Sequence, residues 1–139
     1  MVHAVVITLG DLGRSPRMQY HAQSLCKMKE VRMVSAVGYE GEALVPKLKQ
    51  AQEPGGKLNE VRLPVINLPW LDNIPLLRAV VKGIGLLLRL MAALWRLERF
   101  DVVLIQNPPC LPALVTCLIF SYFVNDCIIC IDWHNLGFS

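Results

Sequence analysis

The sequence predicts an α/β fold in which a parallel sheet carries helices on both faces. Apolar runs typical of strands alternate with segments of helical periodicity along the whole chain. Glycine, proline and asparagine residues separate these runs, and strands joined by helices favour parallel pairing. The 139 residues are enough for one domain with a core of its own.

The first two elements are marked most clearly. Residues 3–9 have the pattern of a buried strand, and a helix over 16–29 follows, with Ser15 as its N-cap and Pro16 at its first position. The later predicted elements are a strand over 31–39, a short helix around 42–52, a strand over 58–66 weakened at Pro64, a long helix capped at Asp72 or Asn73 that continues to about Leu97, a strand over 101–106, a helix ending at Val124, and a strand over 127–132.

The strand ends indicate where a site should lie. Parallel sheets of this kind bind ligands beyond the carboxyl ends of their strands. Three unusual loops, 10–17, 107–112 and 133–139, follow predicted strands and are expected to meet at that edge. A functional site is therefore expected at the carboxyl edge of the sheet.

Composition narrows the classes of function. Hydrophobic residues make up 54% of the chain and charged residues 18%. A typical soluble domain has about 25% charged residues, so part of this surface is expected to face something other than water. The net charge of +3 is too small to predict nucleic-acid binding. The first residues show no export signal, and no apolar segment reaches the roughly 18–20 residues of a spanning helix.

The five cysteines predict neither a metal site nor a redox site. An odd number of cysteines without an export signal favours reduced thiols in the cytosol. Cys127 and Cys130 form a C-x-x-C within a strand-like run, where residues three apart point to opposite faces. No second pair and no suitable histidine spacing accompanies them. We therefore expect both to be buried small hydrophobic residues, with no bound metal and no tightly bound cofactor.

The loop GDLGRSPR at 10–17 concentrates glycine and positive charge where a strand gives way to a helix. The first backbone N–H groups of a helix lack internal partners and carry a partial positive charge. Gly10 and Gly13 allow a close backbone approach, and Arg14 and Arg17 supply donors suited to phosphate oxygens. The loop predicts an anion site, most simply for a phosphate or diphosphate. The alternative is a solvated turn with surface arginines.

Three blocks then carry a family resemblance. GDLGRSPRMQYHAQSL at 10–25, QNPPCLP at 106–112 and IDWHNLGFS at 131–139 together resemble the N-terminal half of the chitobiosyldiphosphodolichol β-mannosyltransferases. The resemblance implies a Rossmann-like domain of a GT-B glycosyltransferase. It also implies transfer of mannose from GDP-mannose to dolichol-diphosphate chitobiose, with inversion to a β-1,4 linkage, at the cytosolic face of the endoplasmic reticulum membrane.

The resemblance also implies roles for individual residues. Asp11 and His134 are the candidates for the catalytic base that takes the proton of the acceptor hydroxyl. The residues implied to bind substrate are Gly10, Gly13, Arg14, Ser15, Arg17, Asn107, Trp133 and Asn135. No metal ligand is implied.

Each of these roles has a structural alternative. Asp11 could stabilise its own turn through a side-chain hydrogen bond, and His134 could form a structural hydrogen bond. Asp132 could cap a loop rather than contact substrate, and His21 within the first helix is expected to be structural. Trp133 could stack on a sugar ring or pack against the protein, and the sequence leaves both open.

The long helix predicts a second surface. At about 100° per residue, its four cations fall on one narrow stripe and apolar residues cover the rest. The cations are Arg78, Lys82, Arg89 and Arg96. Such a helix can lie in a bilayer interface, with Leu87, Leu94 and Trp95 toward the lipid. The alternative is a helix packed on the sheet with its basic stripe in water, and the two arrangements can coexist.

Residues 1–139 are expected to form one truncated, acceptor-side domain. The resemblance implies that the GDP-mannose site lies mostly in a C-terminal donor domain absent here, so the chain is expected to be inactive alone. The expected partners are dolichol-linked diphosphate chitobiose, a membrane surface and other glycosyltransferases of the same pathway. The alternative function is a non-catalytic, membrane-associated module that binds a lipid diphosphate or serves as a scaffold.

Overall fold

A computed structural model describes residues 1–67, 69–71, 73–107, 111–124 and 126–133 of the chain. Its centre is a five-stranded sheet in the order β3-β2-β1-β4-β5, and every neighbouring pair is parallel. The strands are β1 (Val2–Asp11), β2 (Val31–Tyr39), β3 (Leu58–Leu63), β4 (Val102–Asn107) and β5 (Ile128–Trp133). The predicted α/β fold with a parallel sheet is confirmed.

Within the described residues, four α-helices connect the strands. They are α1 (Pro16–Lys27), α2 (Pro46–Gln50), α3 (Pro75–Arg96) and α4 (Leu111–Phe123). Two of the differences from the predicted boundaries have a local cause. The strand over 58–66 ends before Pro64, because proline cannot donate to a sheet ladder. The long helix is not capped by Asn73: Ile74 occupies the N-cap position and Pro75 starts the helix. The other proposed cap, Asp72, lies outside the described residues.

The sheet separates two hydrophobic cores. On one face, α1 and α2 pack through residues such as Met18, Ala22 and Leu48 against Val6 and Val34. On the other face, α3 and α4 pack against the alternate strand residues. The main contributors there are Val5, Ile7, Leu90, Leu94, Val103, Ile105, Cys117 and Phe120. Because side chains alternate along a strand, the even-numbered positions of β1 face α1 and the odd-numbered positions face α3 and α4.

The sheet order also fixes the position of a crevice. The strand order reverses between β1 and β4, which lie side by side although α1, β2, α2, β3 and α3 separate them in sequence. Such a reversal point opens a crevice at the carboxyl ends of the strands, where ligands of open α/β sheets bind. The residues at these ends are Asp11 on β1, Asn107 on β4 and Trp133 on β5.

Candidate functional site

Asp11 organises the turn that leaves β1. Its Oδ1 accepts a hydrogen bond from the Gly13 N–H at 2.9 Å, and its Oδ2 accepts one from the Glu42 N–H at 2.8 Å. The Glu42 amide, the Gly13 amide and the charge of Arg14 together lower the pKa of Asp11 against an opposing effect of burial. This geometry matches the turn-stabilising alternative that the sequence left open.

Gly13 allows the loop after β1 to pass close to the backbone of Glu42. A methyl group at this position would overlap the backbone carbonyl of Glu42. Gly41 faces the same junction from the other side, where a methyl group would overlap the carboxylate of Asp11. The backbone freedom predicted at Gly13 therefore brings the loop against residues 41–42, rather than against a ligand. Gly10 has open space beside it, with its nearest neighbour, Thr8 Cγ2, at 3.9 Å.

Gln19 is a functional candidate that sequence reasoning missed. It is buried on α1, and its Nε2 donates to the carbonyls of Leu12 and Gly13 at 3.0 and 2.9 Å. Its Oε1 accepts from the Val45 N–H at 2.8 Å. One side chain thus fixes the glycine-containing turn and the segment before α2. The available signal was its position beside Met18 and three residues before Ala22, on the buried side of the helix.

Arg14 and Ser15 lie where the turn meets α1. Arg14 is exposed, and its Nε donates to Glu42 Oε1 at 2.9 Å and lies 3.7 Å from Asp11 Oδ2. Ser15 occupies the N-cap position as predicted, but its side chain does not cap the helix. Its hydroxyl instead donates to Gln106 Oε1 on β4 at 3.0 Å. The N-cap side chain of α1 is therefore turned toward β4 rather than toward the helix.

Arg17 binds a carboxylate of the protein itself. Its Nε and Nη2 donate to the two oxygens of Asp132 at 2.6 and 2.7 Å, a bidentate pair between α1 and β5. The Asp132 side chain is only 7% exposed, whereas that of Arg17 is 47% exposed. The guanidinium of Arg17 lowers the pKa of Asp132 against an opposing effect of burial. His21 Nε2 lies 3.4 Å from Asp132 Oδ2. This geometry favours a structural role for Asp132.

A polar cavity of about 180 Å³ lies between the ends of β1 and β4. Thr8 and Gly10 line it from β1, Ser15 from the start of α1, and Gln106 from β4. Asp11 and Arg14 complete its polar side. The cavity occupies the crevice at the strand-order reversal. Of the three predicted loops, 10–17 lines it, and Gln106 contributes from the end of β4 just before the second loop.

Of the third predicted loop, residues 133–139, the structure describes Trp133. Asn107 pairs with Trp133 across β4 and β5, and the Trp133 side chain is 60% exposed. The predicted site residues His134 and Asn135 lie outside the described residues. Arg17, through Asp132, is therefore the described link between the first loop and the end of β5.

The buried and exposed sides of the long helix α3 differ from those predicted. Leu94 is fully buried in the core, so its predicted contact with lipid is wrong. The angular pattern identified the apolar sides of the helix but not which of them packs on the sheet. Leu87 is partly buried and lines an apolar groove between α3 and α4. Trp95 is 66% exposed and makes an edge contact with Phe120.

Helices α3 and α4 form an exposed apolar surface. Its residues, here called the α3–α4 surface, are Leu76, Val80, Ile84, Leu88 and Trp95 on α3, and Leu111, Val115, Leu118 and Tyr122 on α4. The helix α4 contains no charged residue. A contiguous apolar patch of this kind marks a protein or membrane contact. No helix within the described residues combines the length and apolarity needed to cross a bilayer.

The cysteines and possible metal ligands are placed as follows. Cys127 is partly buried, but Cys130 is exposed on β5, so the expectation that both are buried is wrong for Cys130. Its strand lies at an edge of the described sheet, and Cys130 lines a cavity there together with His21 and Leu25 of α1. Among the described residues, no group of three His, Cys, Asp or Glu side chains is close enough to hold a metal ion.

Comparison with known proteins gives one consistent family. The chain is 34% identical over 140 residues to the chitobiosyldiphosphodolichol beta-mannosyltransferase of Yarrowia lipolytica, covering 97% of this chain and 28% of that protein. The Mus musculus protein of the same name is 34% identical, covering 99% and 27%. That of Eremothecium gossypii is 35% identical, covering 96% and 26%. No family model matches the chain, and no solved structure matches it significantly. The resemblance carried by the three sequence blocks is thus confirmed: over nearly its whole length, the chain belongs with the N-terminal part of the chitobiosyldiphosphodolichol beta-mannosyltransferases, and it spans about 28% of their length.

Proposed function

We propose that this chain forms the acceptor side of a β-mannosyltransferase of dolichol-linked oligosaccharide synthesis. In this proposal mannose passes from GDP-mannose to chitobiosyldiphosphodolichol with inversion to a β-1,4 linkage. The donor is held mostly by the part of such enzymes that the chain does not span. The observation that carries the proposal is the polar cavity at the strand-order reversal, built from two of the blocks that resemble this family.

The acceptor hydroxyl needs a base, and the residues differ in their suitability. Both carboxylate oxygens of Asp11 accept backbone hydrogen bonds, and its pKa is lowered by the Glu42 and Gly13 amides and by Arg14. A carboxylate stabilised in its charged form is a weaker base. We therefore propose that Asp11 stabilises the turn and that His134 is the catalytic base. His134 follows Asp132 by two positions in the sequence.

The diphosphate of the acceptor is assigned to the start of α1. The Ser15 side chain does not cap this helix, and Arg14 lies exposed at its start. The N-terminal end of a helix carries a partial positive charge that favours an anion. Arg17 contributes through its pair with Asp132, which holds the end of β5 against α1.

Arg14→Ala tests the diphosphate assignment. We expect binding of a chitobiosyl-diphospho-lipid in detergent micelles to weaken by about tenfold, because one charge-assisted contact is lost. Isothermal titration calorimetry measures the affinity. Arg32→Ala is the matched control, since Arg32 forms an exposed ion pair with Glu98 on another part of the surface. Equal affinities for the two variants would remove Arg14 from the site.

We further propose that the α3–α4 surface rests on the membrane that carries the lipid-linked acceptor, at the cytosolic face of the endoplasmic reticulum. The helix α4 follows β4 and begins at Leu111, so its first turn lies near the carboxyl edge of the sheet, where the cavity is found. Leu111 also lines the apolar groove between α3 and α4. Exposed Trp95 and Tyr122 suit a bilayer interface, where amphipathic aromatic rings are favoured. This surface is also where other enzymes of the same pathway would meet the chain at the membrane.

Leu88→Glu with Leu118→Glu tests the membrane assignment without disturbing the core, since both side chains are more than half exposed. We expect binding to vesicles of phosphatidylcholine and an anionic lipid to fall at least tenfold, because two apolar contacts become charged. Vesicle flotation measures the bound fraction. Tyr20→Glu on α1 is the control, as Tyr20 is 64% exposed on the opposite face of the sheet. Unchanged flotation of the double variant would contradict the assignment.

A further inference from the structure

Helix α3 carries a row of cations along the side that lies beside β3. Lys82, Arg89 and Arg96 follow one another at equal intervals in the sequence of α3. This spacing places them within about 40° of one another around the helix and about 10 Å apart along it. The sequence of α3 contains no acidic residue. These three residues, here called the α3 basic row, therefore have no carboxylate on their own helix to balance their charge.

Two cavities lie along the α3 basic row. Arg89 and Arg96 line a cavity of about 430 Å³ together with Asn59 and the apolar Val61 of β3. Lys82 lines a second cavity of about 240 Å³. The larger volume lies within the range of about 300–1,000 Å³ that small-molecule sites occupy. None of the described residues that line either cavity is acidic, so both cavities favour an anion.

The charges of the row are not neutralised by the protein. Among the residues that the structure describes, neither Lys82 nor Arg96 forms a hydrogen bond or an ion pair. Arg89 Nη1 donates to the Pro64 carbonyl at 2.6 Å, which is a neutral acceptor and leaves the charge of Arg89 uncompensated. Arg96 is exposed, and Lys82 and Arg89 are partly exposed. A ligand from solution or from a membrane can therefore reach all three cations.

Arg62 also borders the larger cavity but is not a free cation there. Its guanidinium binds the Glu60 carboxylate and donates to the Glu42 carbonyl at 2.9 Å. The charge of Arg89, in contrast, extends to the smaller cavity, which Tyr39 lines. Burial raises the pKa of the Tyr39 hydroxyl, and the charge of Arg89 opposes that rise. The two cavities thus share one region of positive potential.

The α3 basic row lies next to the α3–α4 surface. The outward-facing residues Ile84, Leu88 and Trp95 are all more than half exposed. At about 100° per residue, they lie roughly a third of a turn from the row. Helices that rest in a bilayer interface keep their apolar side toward the acyl chains and their cations at the headgroups, which long side chains can reach. With the α3–α4 surface on the membrane, the row and its cavities lie at the level of the lipid phosphates.

We infer that the α3 basic row and its two cavities bind the phosphate groups of anionic phospholipids. Guanidinium and ammonium groups both form charge-assisted hydrogen bonds with phosphate oxygens. Because the row adjoins an apolar surface, it favours a ligand that is charged at one end and apolar at the other, as a phospholipid is, over a soluble anion or an acidic protein segment. The inference rests on the proposed membrane contact and adds to it a preference for one class of lipid.

Lys82→Gln with Arg96→Gln tests the inference, because neither side chain holds another described part of the protein in place. Flotation is measured with vesicles of phosphatidylcholine alone and of phosphatidylcholine with phosphatidylserine. We expect the affinity of the double variant for the anionic vesicles to fall at least tenfold, since each basic residue near an anionic surface strengthens binding severalfold. Its affinity for the neutral vesicles should stay within about twofold of the unmodified chain. Lys47→Gln with Lys49→Gln is the matched control, because it removes the same charge from α2 on the opposite face of the sheet.

Two results would overturn the inference. The first is an equal loss of anionic-vesicle binding in the control, which would show attraction by total charge alone. The second is saturable binding of inorganic phosphate or of polyglutamate, measured by NMR titration, without a preference for anionic vesicles. The membrane contact itself can fail separately. If Leu88→Glu with Leu118→Glu floats unchanged while Lys82→Gln with Arg96→Gln loses the anionic preference, only the apolar contact is contradicted, and the reverse pattern contradicts only the α3 basic row.

Discussion

Gly13→Ala is expected to lower the free energy of unfolding by about 3 kcal/mol, the upper part of the range for forced overpacking. The added methyl group would overlap the Glu42 carbonyl, a backbone atom that cannot rotate away. The turn and residues 41–42 must therefore separate. That separation also strains the two hydrogen bonds of Asp11, which span the same junction. Urea unfolding followed by circular dichroism measures the change.

Gly10→Ala is the matched control for the same turn. Its added methyl group would meet nothing closer than Thr8 Cγ2 at 3.9 Å, and Gly55 is the glycine with a positive φ among the described residues. We expect a change within about 1 kcal/mol, since alanine also restricts the unfolded chain. If Gly13→Ala is as stable as Gly10→Ala, the close approach to residue 42 is not a constraint on the fold.

Asp132→Asn is expected to destabilise the protein by about 2 kcal/mol at pH 7. The substitution leaves Arg17 without its bidentate carboxylate partner and breaks the described side-chain link between α1 and β5. Removing one partner of a buried pair costs about 3–5 kcal/mol, and solvent around the half-exposed Arg17 reduces this. Unfolding in urea gives the value, and we expect the midpoint to fall while the slope stays constant.

The stability difference between Asp132→Asn and the unmodified chain is expected to depend on pH. The pKa of Asp132 is lower in the folded protein, first because of its hydrogen bonds from Arg17. Its contribution to stability is therefore present above the unfolded value of about 3.9 and is lost as the pH falls through the folded pKa. The difference between Asp132→Asn and the unmodified chain should shrink below pH 4.

Glu98→Gln is the control for that experiment. It removes one partner of the Arg32–Glu98 pair, in which both side chains are well exposed. We expect a change below about 0.5 kcal/mol at every pH, because exposed ion pairs contribute little. A constant difference between Asp132→Asn and the unmodified chain from pH 7 to pH 3 would show that the ionised pair is not the cause.

Most of the fold could be predicted because its signals are local. Residues 31–39 form β2 as expected, since a mostly apolar run between polar turns suits a strand that is buried on both faces over most of its length. The start of α3 could not be predicted from Asn73. Proline favours the first position of a helix, so the helix begins at Pro75 and Ile74 becomes the N-cap. The predicted lipid contact of Leu94 was wrong for another reason. Because α3 is apolar on most sides, periodicity alone does not identify the side that faces the sheet.

The site was less predictable because its contacts are long-range. Arg17 meets Asp132 across 115 positions of sequence, and nothing near either residue indicates the pairing. The same applies to Ser15, which has the pattern of an N-cap but donates to Gln106, 91 positions away. The carboxyl edge, where the polar cavity lies, could be predicted because it follows from strand connectivity. Which of its charges are already paired could be learned only from the structure.

The position of β5 affects how this chain can be handled. It pairs with β4 on one side and forms an edge of the described sheet, with Ile128 68% and Trp133 60% exposed. Its one charged residue, Asp132, is occupied by Arg17, so no free charge discourages another strand from adding there. Concentrated samples should therefore self-associate edge to edge, and the exposed Cys130 on the same strand would then crosslink them unless a reducing agent is present.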